Sequence, residues 1–144
     1  LPNDRYKRTV TEAGIHADLY LVELGSGRIE RVTTNDEVNE GPAAFSPDGR
    51  WLAFSAPNDF TYQRDPKVYL RETAAAGAPL RKLGQAFDGP VTVGWWSKDG
   101  GTIYFNGGQR ATSQVFALDV AVEIPYLERR LVHPWASIVD HGAG

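Results

Sequence analysis

A ten-residue string occurs twice in this chain with its chemistry intact. Phe45-Ser46-Pro47-Asp48-Gly49-Arg50-Trp51-Leu52-Ala53-Phe54 is answered 51 positions later by Trp96-Ser97-Lys98-Asp99-Gly100-Gly101-Thr102-Ile103-Tyr104-Phe105. Both copies read as an aromatic, then Ser-x-Asp-Gly, then an apolar run that ends in Phe. A second element, Leu19-Tyr20-Leu21-Val22-Glu23, returns as Val68-Tyr69-Leu70-Arg71-Glu72 after 49 positions and as Val115-Phe116-Ala117-Leu118-Asp119 after 47 more. A third follows each of these: Arg31-Val32-Thr33, Lys82-Leu83-Gly84 and Arg130-Leu131-Val132. Three elements that keep one order and one period of about 50 residues mark a repeated supersecondary unit.

Local physics says what that unit is. Ser-x-Asp-Gly between β-rich residues is a hairpin signal, because Asp bonds its own backbone and Gly accepts positive φ without a Cβ clash. Trp51 to Ser55 and Thr102 to Asn106 are short apolar runs, as expected of inner strands covered on both faces. Residues 57–66, with Pro57, Asn58, Asp59 and Pro66, read as a longer loop, and Gly107 to Ser113 as its counterpart. The third strand follows, then a turn: Leu24-Gly25-Ser26-Gly27 in the first unit, Ala74 to Ala78 in the second. The last strand is the most polar, carrying Arg28, Glu30, Arg81, Lys82, Glu128 and Arg129, and charges there keep an exposed edge from pairing with other chains.

Each unit is therefore expected to be a four-stranded antiparallel meander of the length of a β-propeller blade. The fold class is all-β: about three blades in an incomplete ring, with no helix. Two full units span 41–84 and 90–132. A partial unit, 5–33, precedes them without its innermost strand. A tail, 133–144, follows, in which Trp135 to Val139 opens a further unit.

Composition narrows the function classes. Eleven per cent aromatic residues with fifteen Gly and nine Pro suit many short strands and tight turns. A net charge of −3 gives no electrostatic reason to expect nucleic acid. The pairs Arg81-Lys82 and Arg129-Arg130 read as solvated strand faces. Without Cys, disulfides and thiolate metal sites are excluded. That leaves the compartment open between periplasmic or secreted and cytoplasmic. No apolar run approaches the roughly 20 residues of a membrane helix. Leu1 is not an initiator Met, and the chain reads as starting inside a longer precursor.

At the repeat itself the chain resembles a known family. Phe45 to Phe54 is similar to the repeat of bacterial TolB-like propellers, which also builds the propeller domain of the prolyl oligopeptidase (S9) serine peptidases. Lys67 to Asp119 carries the closer likeness, through Leu70-Arg71-Glu72, Arg81-Lys82-Leu83-Gly84, Phe87-Asp88-Gly89, Val91-Thr92-Val93-Gly94, Trp96 to Gly100 and Ile103 to Asn106. These resemble S9 propellers of the dipeptidyl- and acylaminoacyl-peptidase type. The resemblance covers about residues 17–132. It implies a non-catalytic lid that limits peptide access to an α/β-hydrolase domain holding the Ser, Asp and His. This chain departs from the pattern in having about three blades rather than seven or eight, and in lacking that domain.

The residues themselves offer little catalysis, and no catalytic, cofactor-binding or metal-binding residue is assigned. Leu24-Gly25-Ser26-Gly27 lacks the Gly-x-Ser-x-Gly spacing of a nucleophile elbow. Ser137, Asp140 and His141 lie within five positions of one tail and cannot easily converge as a triad. His16, His133 and His141 show no metal spacing. Asn35-Asp36-Glu37-Val38-Asn39-Glu40 lacks the ligand order and central Gly of a calcium loop, and reads as a solvated loop between units. Glu37 and Glu40 match no motif that would hold a peptide amino terminus. Trp51, Trp95 and Trp96 are expected to pack unit against unit. Two further functions fit the repeat: a protein- or peptide-binding TolB-like module, and a structural array. The last follows because an incomplete array leaves apolar faces and a strand edge open, so self-association into a dimer or higher is expected.

Overall fold

The computed structural model describes residues 18–35, 38–109, 112–121 and 128–130. Ten strands appear in chain order: β1 (Tyr20–Val22), β2 (Ile29–Arg31), β3 (Ala43–Phe45), β4 (Trp51–Pro57), β5 (Pro66–Glu72), β6 (Arg81–Leu83), β7 (Trp95–Trp96), β8 (Thr102–Gln109), β9 (Thr112–Asp119) and β10 (Glu128–Arg130). They form a two-stranded sheet, β1-β2, and two four-stranded sheets, β3-β4-β5-β6 and β7-β8-β9-β10, with sequence neighbours always paired antiparallel. Among the described residues the one helical element is a 3₁₀ turn at Asn58–Phe60. The all-β expectation of four-stranded antiparallel meanders therefore holds, and the sheets stand open. Residues 5–17, Asp36, Glu37 and the tail 133–144 lie outside the described residues.

The two Ser-x-Asp-Gly turns are built alike. Ser46 Oγ donates to Asp48 Oδ1 (2.5 Å) and accepts the Trp51 N–H (2.9 Å), while Asp48 Oδ1 accepts the Arg50 N–H (3.0 Å). Ser97 Oγ, Asp99 Oδ1, Gly101 N and Thr102 N repeat the pattern at 2.6, 3.0 and 2.9 Å. Gly49 and Gly100 take φ of 71° and 72°, where a Cβ would be strained. The motif is thus one hydrogen-bonded device used twice. Each serine is buried, and its hydroxyl satisfies the part-buried N–H that opens the following strand.

One expectation fails at the glycines. Residues 107–113 were expected to form a loop, yet Gly107, Gly108 and Gln109 pair with Gln114, Ser113 and Thr112, and Arg110 and Ala111 between them lie outside the described residues. The reason is a close approach. A Cβ on Gly107 would stand 2.7 Å from Phe87 Cζ and 3.0 Å from the Phe116 ring. Glycine here makes room for aromatics in a strand rather than breaking it.

The main core lies between the two four-stranded sheets. Ala53, Val68 and Leu70 of the first meet Ile103, Phe105, Phe116 and Leu118 of the second, with Phe87, Val91 and Val93 of the connection 84–94 among them. Val68, Leu70, Val91, Ile103 and Phe105 are fully buried. Burying such a side chain contributes about 1.5–3 kcal/mol, so sheet-on-sheet contact is the principal source of stability. The connection is tied in by backbone and side chains: Val91 N–H to Pro66 O (2.8 Å), Val93 N–H to Ser55 Oγ (2.8 Å), and Trp96 Nε1–H to Ala44 O (3.3 Å). On its other face the first four-stranded sheet buries Phe54, Ala56 and Tyr69 against Leu19 and Val32 beside the β1-β2 hairpin.

Candidate functional site

A meander places its connections at two ends. In the two four-stranded sheets the Ser-x-Asp-Gly turns lie at one end, where the connection 73–80 joins them, and the β4–β5 and β8–β9 connections lie at the other, as the registers Trp51↔Glu72, Pro57↔Pro66 and Gln109↔Thr112 require. The connections 32–42, 58–65 and 84–94 therefore supply a rim of irregular backbone, where binding residues tend to sit.

The β4–β5 connection is the most constrained part of that rim. Asp59, Phe60 and Gln63 have φ of 54°, 51° and 64°. A non-glycine residue held there costs about 1–3 kcal/mol and persists only where surroundings enforce it. The enforcement is visible. Phe60 lies against Tyr69 with ring centroids 4.8 Å apart. Tyr69 Oη accepts the Asp59 N–H (2.9 Å) and faces Pro57 O at 3.5 Å. Lys82 Nζ donates to Asn58 Oδ1 (2.9 Å) and to Asp59 Oδ1 (2.6 Å), and Arg64 lies 3.9 Å from the same carboxylate. The Lys82 hydrogen bond holds the Asp59 carboxyl below its usual pKa, and burial pushes the Tyr69 phenol up. At the outer side of this loop Tyr62 is 62% exposed. The loop can present an aromatic ring and a carboxylate to a bound chain without first having to be ordered.

Of the acidic stretch on the same rim, Asn35 and residues 38–40 are described, and among these Val38 and Glu40 depart from the solvated loop expected from composition. Val38 is buried, and Asn35 folds the segment back, its Oδ1 accepting the Val38 N–H (2.8 Å) and its Nδ2 donating to Glu40 Oε1 (2.5 Å). Glu40 Oε2 is buried without a hydrogen-bond partner, and burial raises the Glu40 pKa. An apolar residue in an acidic stretch was the one signal for this, and burial of Val38 draws its neighbours inward.

Two buried cations had no sequence warning beyond their alternation with apolar residues in β5. Lys67 Nζ donates to Phe87 O (2.7 Å) and Gly89 O (3.0 Å) and so pins the connection 84–94 to the strand. Arg71, 1% exposed, pairs with Glu30 across to the hairpin and donates to its neighbour's carbonyl, Glu72 O. Both charges are satisfied by the sheet stack and are structural. Trp51 packs at the core margin under the guanidinium groups of Arg50 and Arg81, each 5.2 Å from its ring. Trp96 packs into the main core and Trp95 stacks on Tyr104.

Ser26 lies in the β1–β2 turn, bonded to Glu23 and accepting the Arg28 N–H. His16, His133, Ser137, Asp140 and His141 lie outside the described residues. Among the described residues no three acidic or imidazole groups are placed to share a metal.

No protein-family model matches the chain. Over 74 residues, 51% of its length, it is 30% identical to dipeptidyl-peptidase 5 of Trichophyton equinum and 28% identical to dipeptidyl-peptidase 5 of Arthroderma benhamiae. Over 43 residues, 30% of its length, it is 46% identical to the uncharacterized peptidase YuxL of Bacillus subtilis (strain 168). The matched segments span 10% of the first two proteins and 6% of the third. The chain thus corresponds to a small part of each relative, and its relationship is a distant one to peptidases.

Proposed function

We propose that this chain is a non-catalytic segment of the β-propeller of an S9-type serine peptidase, which filters peptides on their way to a hydrolase domain carried elsewhere in the parent protein. The observation that carries this reading is a coincidence of two features. The chain that shares segments with dipeptidyl-peptidase 5 is also a stack of four-stranded meanders with one turn device repeated 51 residues apart. Stacked meanders bury their faces against neighbours and leave their connection rims free. The rim formed by 32–42, 58–65 and 84–94 would line the route of the peptide, with Tyr62 and the constrained Asp59 as contact groups.

The purified chain should release no chromophore from dipeptidyl or acylaminoacyl substrates and take up no fluorophosphonate. Turnover that persists through purification and disappears with a single Ser substitution in this chain sinks the proposal. The coding sequence beyond Gly144 supplies the positive arm. A Gly-x-Ser-x-Gly at a strand-to-helix turn supports the filter. A stop immediately after Gly144 removes the hydrolase partner and favours a peptide- or protein-binding module instead.

A further inference from the structure

The β1-β2 hairpin is covered on one side only. Leu19 and Val32, flanking its strands, pack with Phe54, Ala56 and Tyr69, and Glu30 reaches Arg71 from the same side. The other side shows Tyr20, Val22 and Ile29, exposed by 55%, 54% and 65%. With Leu24 at its tip, the hairpin carries four of the six exposed large hydrophobics among the described residues. Bare apolar side chains gathered on one small sheet mark a contact surface.

The internal repeat says what position this surface holds. Offsets of 49 and 51 residues put Tyr20, Val22 and Ile29 on Tyr69, Arg71 and Leu80 of the first four-stranded sheet. A further 47 puts Tyr20 and Val22 on Phe116 and Leu118 of the second. Tyr69, Arg71, Phe116 and Leu118 are 5%, 1%, 3% and 4% exposed, and Leu80 packs in the cluster beneath the hairpin. In each case the sheet that comes earlier in the chain does the covering: the hairpin over Tyr69, Arg71 and Leu80, and the first four-stranded sheet over Phe116 and Leu118. One repeat position is thus a sheet-to-sheet junction twice, and at its first occurrence it lies bare among the described residues.

We propose that the Tyr20–Val22–Ile29 face seats one more meander of the same repeat, carried by the parent protein ahead of Leu1. This rests on the reading of the chain as part of a longer propeller, and adds which face the preceding unit takes and what it must bring. Continuity with the two existing junctions favours this occupant, since repeat units bury their faces against their neighbours in the chain. Val22 sets the chemistry of the contact. At the next junction Arg71 holds that repeat position and takes its partner from Glu30 of the preceding sheet. At the junction after it Leu118 replaces Arg71, and the preceding sheet has Arg81 rather than an acid where Glu30 stood. With valine at this position, a carboxylate from the preceding unit would be desolvated without a cation, which folded proteins avoid. The preceding unit should therefore carry no acid at the Glu30 position. It should bring apolar side chains of the kind that Ala53, Val68 and Leu70 bring to Phe116 and Leu118.

The test compares the chain of 144 residues with one lengthened upstream, in its own reading frame, by a repeat of about 50 residues. Hydroxyl-radical footprinting reads side-chain exposure, with Tyr62 on the rim as the internal reference. In the lengthened chain Tyr20 oxidation should fall about tenfold against Tyr62, the ratio of 55% exposure at Tyr20 to 5% at Tyr69. Val22→Glu should leave the Tm of the shorter chain unchanged and lower that of the lengthened chain by about 5 °C or more, as an unpaired buried carboxylate requires. The footprint needs no variant, so it decides the matter even if that protein does not fold. An upstream sequence without the repeat, or with an acid at the Glu30 position, overturns the proposal. So does a Tyr20 that stays fully reactive in the lengthened chain, or a Val22→Glu tolerated equally in both. Tyr20 protection that grows with the concentration of the shorter chain marks a second copy as the occupant and overturns it too. A stop codon directly after Gly144 ends the peptide-filter reading and leaves this one standing, so the two fail separately.

Discussion

Gly107 and Gly108 are neighbours on one strand with opposite surroundings, and alanine should separate them. Neither has positive φ, so backbone strain plays no part. The Cβ of an alanine at 107 would meet Phe87 Cζ at 2.7 Å and the Phe116 ring at 3.0 Å; at 108 it would meet nothing within 4 Å. The rings cannot step aside easily. Phe87, Phe105 and Phe116 interlock at centroid distances of 4.8 to 5.4 Å, and Phe87 and Phe116 are 4% and 3% exposed. Overpacking of this kind costs about 1–3 kcal/mol, while the stiffer unfolded chain returns about 0.4–1 kcal/mol. Gly107→Ala should therefore lose about 1–2 kcal/mol, and Gly108→Ala should gain about 0.4–1 kcal/mol. In thermal unfolding at low concentration that is a Tm lowered by roughly 3–8 °C against one raised by roughly 1–4 °C. Phe87→Leu removes the ring atom in the way, so Gly107→Ala should cost less in that background, with a coupling above about 0.5 kcal/mol. Equal effects of the two alanines, or strict additivity with Phe87→Leu, would refute the close-approach explanation of Gly107.

Four other outcomes follow from the same structure. Ser46→Ala and Ser97→Ala should each cost about 1–3 kcal/mol in urea titration, and nearly the same amount, because each buried hydroxyl serves an equivalent part-buried strand N–H. Burial raises the Glu40 pKa, so its charged form is penalised in the fold. That penalty is absent below the unfolded value near 4.3 and grows as pH rises toward the folded value. Glu40→Gln should thus raise Tm at pH 7 and leave it unchanged at pH 3. Asp48 has the opposite sign: the Ser46 hydroxyl and the Arg50 N–H lower its pKa. Its contribution is full above the unfolded value near 3.9 and is lost as pH falls through the folded one, so Asp48→Asn should lower Tm at pH 7 and not at pH 2. Glu30→Ala strands the buried Arg71 guanidinium, and Glu30→Ala with Arg71→Met should be the more stable of the two proteins.

What could be read of the candidate site differs sharply from residue to residue. Asp59 was legible as a loop residue because aspartate tolerates the left-handed region. Phe60 in that region was not, since only Tyr69 beneath it and the Lys82 clamp across it hold the backbone there. Glu40 looked solvated in a string of polar neighbours, and its burial follows from Val38 finding a place inside.

The linear chain by itself determined the repeat, the all-β class and both Ser-x-Asp-Gly turns, because a turn is closed by residues two to five positions apart and needs nothing beyond them. It also determined which strands are apolar enough to lie inside. The stacking of sheet on sheet decided the rest. Gly107 became a strand residue because two phenylalanines from other segments occupy the space beside it, and Lys67 and Arg71 became interior cations because carbonyls and a carboxylate 20 to 41 positions away meet them. Those outcomes depend on volumes and partners brought together only by packing, and local pattern carries no information about them.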